Sequence, residues 1–293
     1  MRRREFLLSA GALAVGASGR VSLWPKAGEG KTQTPAQGKL HLGIVTYNIA
    51  KDWDIDTIIR NCSEVGLEGV ELRTTHAHGV ESTLSKAQRE EVRKKFQDSP
   101  VRLVGLGTTF EFHSPEPEVV RRNIEGTKEY VVLAHDVGAM EVKVRPNALP
   151  AGIPEEKTLE QIGRSLRECG EFARNYGIKI CLEVHGRDTN RLPRVRKILD
   201  YAQCDNVWIT WNSNPEDLLD GGLETNFKLV KDRIAVVHMR DLYDEQYPYR
   251  RLFELLRQSG FSGFCLAEIA DSPDPLRVLR YYRGMFLSLQ GLL

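Results

Sequence analysis

From about residue 40 to the C terminus, short apolar runs alternate with longer stretches of helical periodicity. The runs predict strands at 42–47, 69–73, 102–107, 139–145, 179–185, 207–212, 235–238 and 264–268. Between them the patterning predicts helices at 54–65, 85–97, 117–136, 157–176, 192–201, 216–230, 249–259 and 275–289. Gly66, Gly138, Gly177 and Gly260 stand at or near the ends of four of these helices, where a left-handed residue closes the last turn. Eight such units in roughly 250 residues, without a domain break, predict one (β/α)8 (TIM) barrel at 40–293. No Gly-x-Gly-x-x-Gly follows the first strand, which counts against an open dinucleotide-binding sheet.

Alternation then sorts the strand residues. Val70 and Leu72 belong to the helix-facing side, which directs Glu71 and Arg73 inward. By the same parity Met140, Val142 and Val144 point outward, and Glu141, Lys143 and Arg145 inward. Cys181, Glu183 and His185 share an inward parity, and His238 and Arg240 share a side after strand seven. Buried charge is costly unless paired or bound to metal, so this set calls for a solvated polar pocket or a salt-bridge network. Glu71 and Arg73 are expected to pair with each other or with Lys143.

Glu183, Asn212, His238 and Glu268 each end an apolar run, and the runs recur about every thirty residues. In this barrel the active site lies at the C-terminal ends of the strands, so the four are expected to converge. Their oxygen and nitrogen donors suit a divalent cation, Mn²⁺ or Mg²⁺ first and Co²⁺ or Zn²⁺ next.

The first 39 residues read differently. Arg3 and Arg4 precede Phe6, Leu7 and Leu8 and a small apolar stretch to Ala17, the parts of a signal peptide of the twin-arginine type. A polar, Gly- and Pro-containing leader follows. The reading implies an exported protein, periplasmic or extracellular, without a stable membrane anchor once the signal is removed. Removing the three Arg and one Glu of residues 1–17 turns a formal charge of +1 into −1, which disfavours a nucleic-acid partner. The five cysteines are odd in number and scattered, and are expected to be free core thiols.

At these residues the chain resembles the sugar phosphate isomerase/epimerase-like superfamily, the xylose isomerase-like barrels. The matching segments are Leu182-Glu183-Val184-His185, His238-Met239-Arg240-Asp241 and Leu266-Ala267-Glu268. Trp211-Asn212-Ser213-Asn214-Pro215 departs from the pattern, with Asn212 where Asp is usual. The amide oxygen remains a ligand for a hard cation, but the site loses one negative charge, so binding should weaken while the ion becomes a stronger Lewis acid. The resemblance implies a metal-dependent isomerase or epimerase of a sugar or keto-sugar, and the expected export makes that sugar an unphosphorylated one. In that scheme Glu183 and Glu268 exchange protons with opposite faces of one carbon through a metal-stabilised enediolate. His185, Arg240, Arg145 and the loop residues His76 and His78 are then the substrate-binding candidates. A carbon–oxygen lyase in the same site, a non-catalytic sugar-binding barrel and a metal-dependent phosphodiesterase are the alternatives, and oligomerisation is left open. The phosphodiesterase would need an Asp-x-His element after strand seven, which is absent. His41, His113 and His135 can be structural, and Trp208 and Trp211 are expected to pack.

Overall fold

The computed structural model describes residues 38–293; the signal and leader expected at the N terminus lie outside the described residues up to residue 37. Eight parallel strands close into a barrel in chain order, β1 pairing with both β2 and β8. The strands are β1 His41–Val45, β2 Gly69–Arg73, β3 Arg102–Glu111, β4 Glu141–Arg145, β5 Lys179–Glu183, β6 Val207–Trp211, β7 Ile234–Met239 and β8 Phe264–Ala267. The helices are α1 Ile55–Val65, α2 Lys86–Gln97, α3 Pro117–Val137, α4 Glu155–Arg174, α5 Leu192–Ala202, α6 Leu223–Val230, α7 Tyr249–Gln258 and α8 Pro275–Leu289. No described helix is long and apolar enough to cross a membrane.

The expected elements are present, with three informative differences. Strands β5 and β6 end before His185 and Asn212, which therefore sit on the barrel rim. Strand β3 runs four residues further than its apolar pattern, to Glu111, which carries that carboxylate to the same rim. The expected sixth helix is split into a 3-10 turn, Pro215–Leu218, and α6. Asp220, Gly221 and Gly222 have φ values of 52°, 99° and 90°, a left-handed run that no helix can contain. Gly66 and Gly138, at φ 80° and 83°, end α1 and α3 as expected.

Two apolar layers build the core. Outward strand residues such as Leu42, Ile44, Val70, Leu72, Val142 and Ile180 pack under the helices. Inside the barrel a second cluster, Val45, Val104, Val236, Phe264 and Leu266, fills the space. Inner glycines make room for large neighbours. A Cβ on Gly69 would lie 2.7 Å from Val104 Cγ2, one on Gly105 would lie 2.8 Å from Glu141 Cγ, and one on Gly107 would collide with the Glu71 carboxylate. All five cysteines are free and buried.

Candidate active site

Strand parity delivers a charged layer above the apolar cluster. Ile180 and Leu182 face the helices, so Cys181 and Glu183 point inward; Val237 and Met239 do the same for His238. His238 is 1% exposed and stands at the centre of the layer. Its Nε2 lies 3.0 Å from Glu71 Oε2, so this nitrogen carries the proton and donates it to the carboxylate. Its Nδ1 lies 3.5 Å from Glu183 Oε1 and 3.8 Å from Glu268 Oε2 and has no hydrogen-bond partner among the described residues. The other oxygen of Glu183 accepts from Lys143 Nζ at 2.6 Å, both side chains being buried. One level deeper, Cys181 Sγ donates to Glu141 Oε2 at 2.8 Å.

Burial works against charge throughout this layer, and the neighbours decide each outcome. Burial opposes protonation of His238, but the carboxylates of Glu71, Glu183 and Glu268 outweigh it and push the imidazole up to about 10. Burial also disfavours ionised Glu183, yet Lys143 and then His238 hold it well below the usual carboxylate range. The same charges keep Lys143 protonated, against the effect of its burial. Glu268 moves the opposite way: burial raises it, and Glu183 adds to this against the pull of His238. Burial and the charge of Glu71 push Glu141 up to about 7.

Ligand atoms of Glu183, His238 and Glu268 all lie within 4.8 Å of one another. Asn212 lines the same cavity of about 370 Å³, and its Oδ1 is buried with no hydrogen-bond partner among the described residues. With Nδ1 unprotonated, three carboxylates (Glu71, Glu183 and Glu268) face one ammonium, Lys143. One divalent ion would balance that charge. Glu183, His238 and Glu268 therefore bring together donors that suit one cation, with Asn212 on the wall of the same cavity and Glu71 orienting the imidazole from behind.

The rim is pinned by the loop after β6. Ser213, at φ 41°, donates its hydroxyl to the His238 carbonyl at 2.8 Å, tying Asn212 to the end of β7. Asn214 Nδ2 donates to the Val184 carbonyl at 2.6 Å, and its Oδ1 accepts from Arg240 Nη2 at 2.9 Å. Beneath it Asp217 accepts from Tyr247 Oη at 2.6 Å and from the Asn214 amide at 3.0 Å, while Trp211 Nε1 donates to Tyr247 Oη at 2.9 Å. Burial pushes Asp217 up to about 7, against its hydrogen-bond donors.

His185, Arg145 and Arg240 all line the cavity, as expected. Arg145 pairs with Glu111, and burial lowers His185, leaving a neutral ring. The two loop histidines behave otherwise. His78 is buried, with Nε2 bonded to the Arg73 carbonyl at 2.7 Å and Nδ1 accepting from the Val80 amide at 3.0 Å; both nitrogens are used in shaping the loop. His76 bonds Thr46 Oγ1 at 3.0 Å and stacks on Tyr47, and it is Tyr47 that lines the cavity. The expected pairing of Glu71 with Arg73 or Lys143 does not form, because Arg73 turns to Thr74 while Glu71 reaches His238 across the barrel. Inward parity marked Glu71 and Lys143, but their service to His238 and Glu183 left no mark in the sequence. Glu111 went unnoticed because it lies beyond the predicted end of its strand, and Tyr47, at the end of the first predicted strand, carried no charge to single it out. His41 and His135 are structural: His41 pairs with Glu68 at 2.7 Å, and His135 bonds the Tyr176 carbonyl at 3.0 Å.

A closed eightfold barrel with a polar cluster at the C-terminal mouth defines the class of barrel enzymes whose chemistry sits on the strand ends. Residues 59–283 match the family profile described as xylose isomerase-like TIM barrel, and the chain belongs to that family. No curated protein matches the chain by sequence. Among solved structures, 3-keto-D-glucoside 4-epimerase from E. coli is similar at TM-score 0.73 and 15% identity, over 85% of this chain and 100% of that one. D-psicose 3-epimerase from Clostridium cellulolyticum H10, solved with D-tagatose, is similar at TM-score 0.72 and 13% identity, over 85% and 99%. The IOLI protein, solved with a zinc atom, is similar at TM-score 0.71 and 17% identity, over 85% and 97%. At these identities the likeness is one of fold.

Proposed function

We propose that this protein is a divalent-metal-dependent epimerase or isomerase of an unphosphorylated sugar or keto-sugar. The carrying observation is the convergence of Glu183, His238 and Glu268 within 4.8 Å, on a cavity shared with Asn212. Membership of the xylose isomerase-like family and the sugar epimerases among its structural neighbours support the reading. A divalent ion held there would polarise a sugar carbonyl and stabilise the negative charge that develops on it. Inverting a carbon needs a proton acceptor on one face and a donor on the other, and two carboxylates from different strands supply that pair. Glu268, raised above the ordinary carboxylate range by burial and facing the cavity, is suited to carry the proton. Glu183 is kept ionised and fixed in orientation by Lys143. His185, Arg145 and Arg240 orient the hydroxyls. Export through the N-terminal signal motivates an unphosphorylated substrate and is checked by cell fractionation.

The test is metal content of the folded protein, beside Glu268→Gln, followed by solvent-deuterium uptake by a panel of keto-sugars. About one Mn²⁺, Mg²⁺, Co²⁺ or Zn²⁺ per chain is expected, falling in the variant together with exchange. Protein that takes up no metal from excess Mn²⁺ would sink the proposal and favour a sugar-binding barrel. Product NMR separates epimerisation from elimination.

A further inference from the structure

The charges around the cavity are not evenly compensated. Arg73, Lys143, Arg145 and Arg240 line it. Lys143 is neutralised by Glu183 at 2.6 Å, and Arg145 by Glu111. Arg73 donates Nη1 to the carbonyl and hydroxyl of Thr74 at 3.0 and 2.8 Å, and Arg240 donates Nη2 to the amide oxygen of Asn214 at 2.9 Å. Among the described residues neither guanidinium has a carboxylate within 4.0 Å. Arg89 and Arg194, by contrast, meet Asp136 at 2.9 Å and Glu155 at 2.8 Å on the outer surface. Barrel order places β8 and β1 between β7 and β2, so Arg240 and Arg73 flank the arc that presents Glu268 and Tyr47.

The four cationic side chains and a divalent ion would face five carboxylates, those of Glu71, Glu111, Glu183, Asp241 and Glu268, and one positive charge would be left over. A neutral sugar leaves that charge uncompensated and neither guanidinium in direct contact with an acid group. A carboxylate supplies one negative charge in the planar form that a guanidinium grips with two parallel hydrogen bonds. A phosphate shares the oxyanion chemistry but brings nearly two charges at neutral pH.

We infer that the substrate is an acidic sugar, a keto-uronate or related sugar carboxylate, held at its carboxylate end by Arg73 and Arg240. This rests on the sugar-binding reading of the site and assigns its substrate class. The two arginines are then specificity determinants, Arg240 gripping the acid group of such a substrate in place of a hydroxyl.

The experiment is calorimetric titration of the Mn²⁺-loaded full chain with D-fructose, D-fructuronate and D-fructose 6-phosphate, which differ only at C6. Fructuronate is expected to bind at least about tenfold more tightly than fructose, the margin of a charge-assisted hydrogen bond, and more tightly than the phosphate. That preference should shrink in Arg73→Met and in Arg240→Met, disappear in the double variant, and partly survive in Arg240→Lys. The inference is overturned if fructuronate binds no better than fructose (absence of binding included), if the phosphate binds best, or if the preference persists in the double variant. Deuterium exchange on the same sugars keeps the two proposals apart. A fructuronate preference without exchange would sink proton transfer and keep the carboxylate; exchange without preference would do the reverse.

Discussion

The barrel interior contains two regions built from the same strands by opposite means. Val104, Val236 and Phe264 come early on β3, β7 and β8, and fill space with apolar volume. Two or more residues further along, the ionisable side chains of Glu71, Glu183, Lys143 and His238 are just as buried. In the first region stability depends on volume, because a close-packed core does not collapse fully around a missing side chain. In the second it depends on pairing: Lys143 answers Glu183, and Glu71 answers His238. The contrast teaches that the fold can tolerate a charged layer only while each charge keeps its partner, and that this layer is where cation binding and proton transfer are proposed.

Three substitutions test the contrast, from the largest effect to the smallest. Lys143→Met should cost about 3–5 kcal/mol of unfolding free energy by stranding Glu183, and adding Glu183→Gln should recover most of it. Denaturant titration of the metal-free single and double variants measures this; a single variant as stable as the parent would break the pairing argument. Leu266→Ala, within the apolar cluster, should cost about 2–4 kcal/mol with metal content unchanged. Loss of metal in that variant would mean that the two regions are not separable.

The smallest effect concerns Asp217, a buried carboxyl outside both regions. Its value rises from an ordinary 3.8 to about 7 in the folded chain, so folding favours its protonated form. Its contribution is complete below about pH 4 and is lost as the pH climbs towards 7. Between pH 5 and 7 the parent should therefore lose about 2 kcal/mol relative to Asp217→Asn, at roughly 1.4 kcal/mol per pH unit. Melting curves across that range check the sign: a parent that gains stability relative to the variant would show that Tyr247 and the Asn214 amide hold Asp217 ionised.

Much of the fold was legible because βα units repeat their pattern locally. Val70 against Glu71, or Leu182 against Glu183, shows an alternation that any parallel strand with helices outside and a polar interior must carry. The break in the sixth helix was also written locally, in Asp220-Gly221-Gly222, but helical periodicity on either side masked it. His78 misled for a different reason. A histidine in a rim loop looks the same in sequence whether its ring faces ligand or, as here, bonds the Arg73 carbonyl and the Val80 amide.

The sequence by itself determined the eight units, the inward parity of Glu71, Glu141, Lys143 and Glu183, and the strand-end placement of Asn212, His238 and Glu268. These follow from dihedral preference and side-chain period, which act over a few residues. Tertiary structure alone decided which charge meets which: Glu71 with His238 across the barrel, Lys143 with Glu183 on the neighbouring strand, Arg145 with Glu111, and Arg73 and Arg240 with no carboxylate within 4.0 Å among the described residues. Those choices depend on barrel closure and register, which bring together groups as far apart in sequence as 167 residues. At that separation electrostatic pairing is settled by where the chain returns in space, and no local pattern records it.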